Sequence, residues 1–376
     1  IIYRNTLLYN IIMSDFFYLP KDLFHLSSFI DKTDDNSELQ IYSYSSCSND
    51  DSVELKAYRG LVFDHSILVA SSLGFTPEYN EESKNIEELK DISDYSFYKS
   101  EEGTLLRVFY HKKWYLSTHR KLDAFKSRWG SDETFGDIFL KCLDCSFEKF
   151  TERLNKYHIY FFLIRNTKQT RIVSNPPLSL TVYHVGTLLN NQTFDMSDDI
   201  GIKKQEELVL NTENEVFSYV SNIDPFDCQG VIGFKKDGSG KHFKIVNTKY
   251  QNYVKVRNNE PDVNFRYLEL LVDPSSEMLL KLFLELYPSF KDKHQLYTNY
   301  TFIVAKYLHD MYFKKFVKKE KIVCQKDEWF ILKNVHNWFW SDRSNRKVTF
   351  NVMYKMSMNS QNMRSFFRIY KRLHLK

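Results

Sequence analysis

The chain has 376 residues, 43% of them hydrophobic and 16% aromatic, with a formal charge of +4. That length leaves room for two domains with filled cores, and no apolar run approaches the ~20 residues of a membrane-spanning helix, so a helical membrane protein is excluded. Five cysteines, Cys47, Cys142, Cys145, Cys228 and Cys324, are an odd set that makes no disulfide framework and points to a reducing, intracellular (cytoplasmic) setting.

The opening stretch lacks a small-residue cleavage site, and Met13 precedes a fresh polar and apolar pattern, so residues 1–12 are expected to be a leader without structural role. Residues 38–44 and 56–64 alternate and carry β-branched side chains, the pattern of strands, the second containing Arg59-Gly60-Leu61-Val62-Phe63. A polar, charged linker over 81–94 leads into a central hairpin. There Lys99-Ser100-Glu101-Glu102-Gly103-Thr104 opens a strand over 105–110, His111-Lys112-Lys113 reverses it, and a second strand over 114–118 brings Thr118-His119-Arg120-Lys121 back beside the first turn. Gly103 has no Cβ and admits a positive φ or a close ligand, while Glu102, Arg107, Arg120 and Lys121 supply charge around it. Such a place suits a sugar and a phosphate.

Residues 131–157 space their apolar side chains as two amphipathic helices. Cys142 and Cys145 lie at zinc-like spacing, but no second Cys/His pair accompanies them, and ordinary thiols on a helix are expected. Strands follow over 157–164 and 179–186, then a helical excursion over 201–222. Next come Cys228-Gln229-Gly230-Val231-Ile232, a glycine-rich turn over 236–240, and a strand over 241–247 carrying Lys244. The phrase 254–261 ends the sheet region, with 265–272 as a possible last strand. From Ser276 the periodicity is helical, including a helix over 300–316.

In order and spacing these motifs resemble the covalent nucleotidyltransferases, that is, ATP-dependent RNA ligases, DNA ligases and mRNA capping enzymes, and most of all the phage-type RNA ligases. The resemblance runs from Arg59 to Lys244, and no single motif in it is specific by itself. In that family Lys-x-Asp-Gly-Ser/Thr supplies the nucleotide-accepting lysine. Here Ser100-Glu101-Glu102-Gly103-Thr104 puts a serine in the slot and Lys99 one residue early, where only a bulge would turn it inward. The family's Arg-Gly strand, whose Arg contacts the nucleotide, precedes the nucleophile by the interval that separates Arg59 from Lys99. Its ribose-contacting Glu corresponds to Phe162, its metal- and phosphate-binding Glu to Gln229, and its Lys-φ-Lys pair to Lys244 and Val246.

The resemblance implies an α+β fold: a nucleotidyltransferase (ATP-grasp-like ligase) domain of antiparallel sheets flanked by helices over 13–273, then a basic α-helical domain over 274–376. It implies an RNA ligase-like enzyme using ATP and Mg²⁺, with Lys99 as candidate nucleophile. The implied nucleotide-binding residues are Arg59, Gly60, Glu102, Gly103, Arg107, Arg120, Lys121, Gln229 and Lys244, with Gln229 a weak metal ligand. The substitutions at Ser100, Phe162, Gln229 and Val246 carry the alternative, a catalytically inactive ligase-fold protein that binds nucleic acid or serves in an assembly. In that case Ser100, not Lys99, faces the pocket.

Charge is concentrated at the C-terminus: residues 281–376 hold 20 Lys and Arg against 7 Asp and Glu. Lys314, Lys315, Lys318, Lys319, Lys321, Arg343, Arg346 and Lys347 are candidate RNA-phosphate contacts, set against the reading of a solvated helical face. Trp329, Trp338, Trp340 and Phe366 are interleaved among them, as base-stacking platforms or as core.

Overall fold

The structure, a computed structural model, describes residues 26–168 and 172–374; the expected leader over 1–12 lies outside the described residues. The chain divides into two compact units, Ile1–Lys255 and Val256–Lys376.

The first unit begins with a four-stranded antiparallel sheet, β1 (Ile30–Asp35), β2 (Leu39–Tyr44), β3 (Arg59–Asp64) and β4 (Ile67–Ala70). Between β2 and β3 the Ser52 hydroxyl accepts from the Leu55 N–H and caps a short helix, α1 (Val53–Ala57). The strand expected from residue 56 therefore starts only at Arg59. β5 (Glu78–Asn80) and β6 (Tyr95–Ser100) follow, then the hairpin β7 (Thr104–His111) and β8 (Lys113–Ser117), which turns on Lys112 at φ 58°. Helices α2 (Phe135–Leu143) and α3 (Phe147–Thr151) start at Thr134 and Ser146, whose hydroxyls accept from Asp137 and Lys149 N–H groups. β9 (Ile159–Arg165), β10 (Thr181–Leu189), β11 (Thr193–Asp195) and β12 (Glu207–Leu208) precede α4 (Glu213–Asn222). The helical excursion expected over 201–222 is thus helical only in its second half, where Thr212 caps it. β13 (Gly230–Lys235), β14 (His242–Val246) and α5 (Thr248–Arg257) complete the series.

These strands form two five-stranded sheets, ordered β11-β10-β9-β7-β8 and β12-β6-β13-β14-β5, antiparallel apart from the β14/β5 pair. One core is shared by all three sheets: Ile41 and Val62 from the first, Phe109 and Phe161 from the second, Phe234 from the third. The outer faces carry helices. Phe139 and Phe150 of α2 and α3 lie against Val108 and Phe162, while Val216 and Val220 of α4 lie against Phe97, Val231 and Phe243.

Burying one such aromatic or aliphatic side chain is worth about 1.5–3 kcal/mol. A one-residue slip of β6 would exchange Phe97, 1% exposed beneath α4, for its neighbours. The register set by that burial also decides where Lys99 and Ser100 point.

The second unit is helical: α6 (Val263–Val272), α7 (Glu277–Leu286), α8 (His294–Tyr312), α9 (Lys326–Trp340), α10 (Phe350–Ser357) and α11 (Met363–His374). The expected last strand over 265–272 is α6. Asp262 accepts from the N–H groups of Asn264 and Phe265 and caps it, and Phe265 and Leu268 share its buried face, so helical spacing prevails over an apolar run that also fits a strand. Likewise the phrase expected to close the sheet region at 254–261 begins inside the helix α5. Phe265, Tyr267, Phe283, Leu308, Ile331, Leu332, Met353 and Phe366 fill this unit's core. Phe366 is therefore a packing residue and not a platform.

Candidate anion-binding site

Strand β6 pairs with β13 without a break, Ser100 opposite Gly230 and Lys99 opposite Val231, so no bulge intervenes. Alternation then sends the two side chains to opposite faces. Ser100, 3% exposed, turns inward, its hydroxyl 3.5 Å from the Gln229 Oε1. Lys244 of β14 donates to that same oxygen at 3.2 Å, and its Nζ lies 3.7 Å from a Glu78 carboxylate oxygen. Lys99 lies on the outer face, in an open recess of about 560 Å³ lined by Glu215, Ser218, Asp224 and Asp227 of the α4 region. The candidate nucleophile is separated from Arg59, Gln229 and Lys244 by the sheet itself.

The inward face is strongly cationic. Arg59 donates through Nη1 to the Gly74 carbonyl and to the Thr76 hydroxyl, each at 2.9 Å. Arg107, 3% exposed, donates to the carbonyls of Gly60 (2.7 Å) and Ser71 (2.8 Å) and to the Ser117 hydroxyl (3.2 Å). Its Nη2 is buried without a partner. Burial pulls the Arg107 pKa down, yet a guanidinium remains charged at neutral pH. Gly60 has φ 81°, and a Cβ there would stand 2.6 Å from the His119 carbonyl oxygen, so the 118–121 loop lies directly on β3. His119 keeps a solvent-open edge, yet the surrounding protein and the guanidiniums of Arg59, Arg120 and Arg107 push its pKa down to about 4. Burial also lowers the pKa of Lys244; Glu78 opposes that shift and Arg59 adds to it.

Several residues expected at the ligand are occupied by the protein itself. The Glu102 carboxylate accepts from the backbone N–H groups of Ile172 and Val173 at 2.8 Å each, from that of Ser174, and from the Tyr250 hydroxyl at 3.1 Å. It is a fastener for the chain after β9. A Cβ on Gly103 would stand 2.7 Å from the Ile164 carbonyl oxygen, so this glycine admits strand β9 and not a ligand. Lys121 pairs with Asp34 at 3.4 Å, and Arg120 reaches the Tyr44 carbonyl at 3.5 Å. Phe162, taken as standing in the ribose position, faces away from the cleft into the core beneath α2 and α3; its neighbour Phe161, opposite Arg107, faces inward. Val246, 2% exposed, is part of the wall opposite Gly230.

His242 and Thr76 were missed by sequence reasoning. His242 is buried, stacked on Phe234, with Nδ1 2.9 Å from the Gly240 carbonyl and Nε2 2.8 Å from the Thr76 hydroxyl. Because a carbonyl only accepts, the proton is on Nδ1 and Nε2 accepts from Thr76. His242 stands two residues before Lys244 on one strand, and that spacing alone places both on one face.

Phosphate fits this set: two guanidiniums, one of them with an unpartnered N–H, an ammonium and a hydroxyl. A divalent cation does not fit it. Gln229 Oε1 already takes the Lys244 ammonium, Glu101 is paired with Arg165 at 3.0 Å, and Glu78 alone is not an oxygen cage. Among the described residues no group of three or more His, Cys, Asp or Glu is placed to hold a metal ion. No described helix is long and apolar enough to cross a membrane.

In the second unit, Lys314 and Lys315 lie in a π-helical turn, Phe313–Val317, after α8. Lys318 comes within 3.9 Å of Glu320, while Lys319, Lys321 and Lys347 are exposed. The Arg343 guanidinium lies 4.7 Å over the Trp340 ring and that of Arg346 4.9 Å over Trp338.

Fold and site together define an α+β protein with a cationic cluster between antiparallel sheets and a helical, basic second unit. No protein-family model matches the chain. It is 33% identical over 341 residues to the immediate-early protein ICP-46 homolog of Invertebrate iridescent virus 6, covering 80% of this chain and 74% of that one. The homolog of Invertebrate iridescent virus 3 is 31% identical over 262 residues, covering 64% of this chain and 57% of that one. The chain belongs to the immediate-early protein ICP-46 family. Among solved structures it is similar to a protein described as an ATP-dependent DNA ligase from Aquifex aeolicus, at 12% identity and TM-score 0.40 over 74% of this chain and 75% of the other. It is also similar to an archaeal ATP-dependent RNA ligase, at 9% identity and TM-score 0.38 over 74% of each chain.

Proposed function

We propose that the first unit is a ligase-type nucleotidyltransferase frame that binds the phosphates of a nucleotide or an RNA end and forms no lysyl-nucleotide bond. The observation that carries this reading is the inward position of Ser100 beside Gln229 and Lys244, with Lys99 on the opposite face. A serine hydroxyl there has no general base bonded to it: its neighbour is the neutral Gln229 amide, and the Glu78 carboxylate nearby is set against the Lys244 ammonium. The cleft keeps the groups that hold phosphate and lacks the amine that would attack it. ATP is the nucleotide expected, held without a requirement for Mg²⁺, and the basic second unit supplies the RNA contacts.

Incubation with α-labelled ATP or GTP and Mg²⁺ or Mn²⁺ tests this. The expected result is no covalent label on the wild-type protein, with ATP bound reversibly. Covalent labelling lost in Lys99→Ala would overturn the reading in favour of an active ligase. Labelling lost in Lys244→Ala would overturn it too, by making the inward amine the nucleophile.

A further inference from the structure

Helix α9 carries Trp329, Lys333, His336 and Trp340 at helical spacing, on one face and over about 16 Å of helix axis. Phe316, presented by the π-helical turn, stacks on His336 with ring centres 3.9 Å apart and lies 6.2 Å from Trp329, interplanar angles 17° and 22°. The indole N–H of Trp340 donates to His336 Nε2 at 2.6 Å, so the His336 proton is on Nδ1, which donates to the Tyr312 hydroxyl at 3.1 Å. Trp340 is thereby held in one orientation while 52% of it stays open to solvent, and Trp329 is 43% exposed.

Core aromatics do not behave this way. Phe265, Tyr267 and Phe366 in the same unit are no more than 1% exposed. A row of rings held by ring stacking and, at Trp340, by a hydrogen bond, with both indoles left partly open, is arranged to receive flat partners. Cations bracket the row, with the Lys315 ammonium 5.2 Å over Trp329 and the Arg343 guanidinium 4.7 Å over Trp340. The two carboxylates of the first turn of α9 are engaged elsewhere, Asp327 with Arg368 and Glu328 with Arg372. A stacking surface rimmed by positive charge complements a polyanion whose bases are unpaired, because a duplex hides its base faces.

We propose that the Trp329–Phe316–His336–Trp340 row is a base-stacking platform for single-stranded RNA, with Lys315 and Arg343 holding its phosphates. Its length matches the rise of about four or five stacked nucleotides. The proposal rests on the assignment of the second unit to RNA and adds what is read there, the exposed bases of a single strand.

The test uses the full chain and a short fluorescein-labelled oligoadenylate, as a single strand and in duplex with oligouridylate, followed by anisotropy at low salt and by tryptophan emission. Tighter binding of the single strand is expected, with quenching of tryptophan emission. Trp340→Ala and Trp329→Ala should each weaken single-strand binding about tenfold and leave duplex binding and the melting temperature unchanged. Both side chains are about half exposed and neither belongs to the unit's core, so these variants fold. Equal binding of single strand and duplex, or unchanged single-strand affinity in both variants, would overturn the platform and leave the RNA assignment standing. Polyglutamate binding as tight as the RNA would reduce the surface to a patch of charge and overturn the platform as well. Binding of neither RNA would overturn both.

Discussion

Lys99 and Ser100 are adjacent in sequence and stand on opposite faces of one strand, Lys99 among the acidic groups by α4 and Ser100 in the cationic cleft. Continuous pairing of β6 with β13 and the burial of Phe97 fix that arrangement together. Turning Lys99 inward would carry Phe97 with it off the core beneath α4, at a cost near that of unburying an aromatic side chain, roughly 2–3 kcal/mol. The lysine in this chain therefore has no inexpensive route to the cleft.

Binding should follow the face and not the sequence neighbourhood. Lys244→Ala removes an ammonium from the cleft and Lys99→Ala removes one from the outer recess. A charge-assisted hydrogen bond contributes about 1.5–3 kcal/mol, so Lys244→Ala should weaken metal-free ATP binding about tenfold or more. Lys99→Ala should leave it within about twofold. Isothermal titration calorimetry on the two variants checks this. Equal losses in both would place the ligand somewhere other than the cleft.

Glu102 should prove a stability residue. It closes bonds to the N–H groups of Ile172, Val173 and Ser174 and to Tyr250, and Glu102→Ala leaves those donors without their acceptor. A loss of about 2–4 kcal/mol is expected, read as a lower urea midpoint at unchanged slope. At temperatures well below its melting point the variant should still bind ATP. A variant of native stability that fails to bind would return Glu102 to the ligand.

Gly60→Ala probes the contact that seats the 118–121 loop. The new Cβ would meet the His119 carbonyl at 2.6 Å on a backbone with φ 81°, and both effects destabilise, by about 1–3 kcal/mol together. Since Arg107 donates to the Gly60 carbonyl, phosphate affinity should fall along with thermal stability. Native-like melting with native ATP affinity would show that the loop can move aside freely.

The strands that carry the cluster were legible in their alternation and β-branched and aromatic content: Arg59, Arg107 and Lys244 all lie in expected strands, although β3 starts at Arg59 and not at residue 56. What misled was chemistry without geometry. Glu102 and Gly103 look like a ligand-facing pair, yet the chain after β9 and strand β9 itself use them, and contacts between residues so far apart in sequence leave no local mark. Phe162 and Phe161 differ by one position, and only the pairing with Leu106 and Arg107 tells which faces the cleft. The apolar run 265–272 satisfied strand and helix spacing together, and the Asp262 cap decided it. His242 was readable from its place two residues before Lys244, but a histidine in an apolar strand gives no signal of its hydroxyl partner.

That histidine gives the protein a specific acid limb. Nδ1 donates to the Gly240 carbonyl, and Nε2 accepts from Thr76, whose hydroxyl in turn accepts from Arg59, so protonated His242 would face a donor where it needs an acceptor. Burial, with Arg59 and Lys244 adding to it and the Gly240 bond opposing, pushes its pKa down to about 4 from 6.5. A folded-state pKa below the unfolded one means that the unfolded chain binds the extra proton. Stability is therefore full above about pH 6.5 and is lost as pH falls towards about 4, by an amount on the order of 3 kcal/mol. His119, shifted the same way, adds to the same limb. Urea midpoints measured across this range should fall steadily with acid. His242→Gln, neutral at every pH, should start less stable at pH 7 and show a shallower decline, with the His119 share remaining. A decline as steep in the variant as in the wild type would assign the acid limb to other groups and would sever the link from Arg59 through Thr76 to His242.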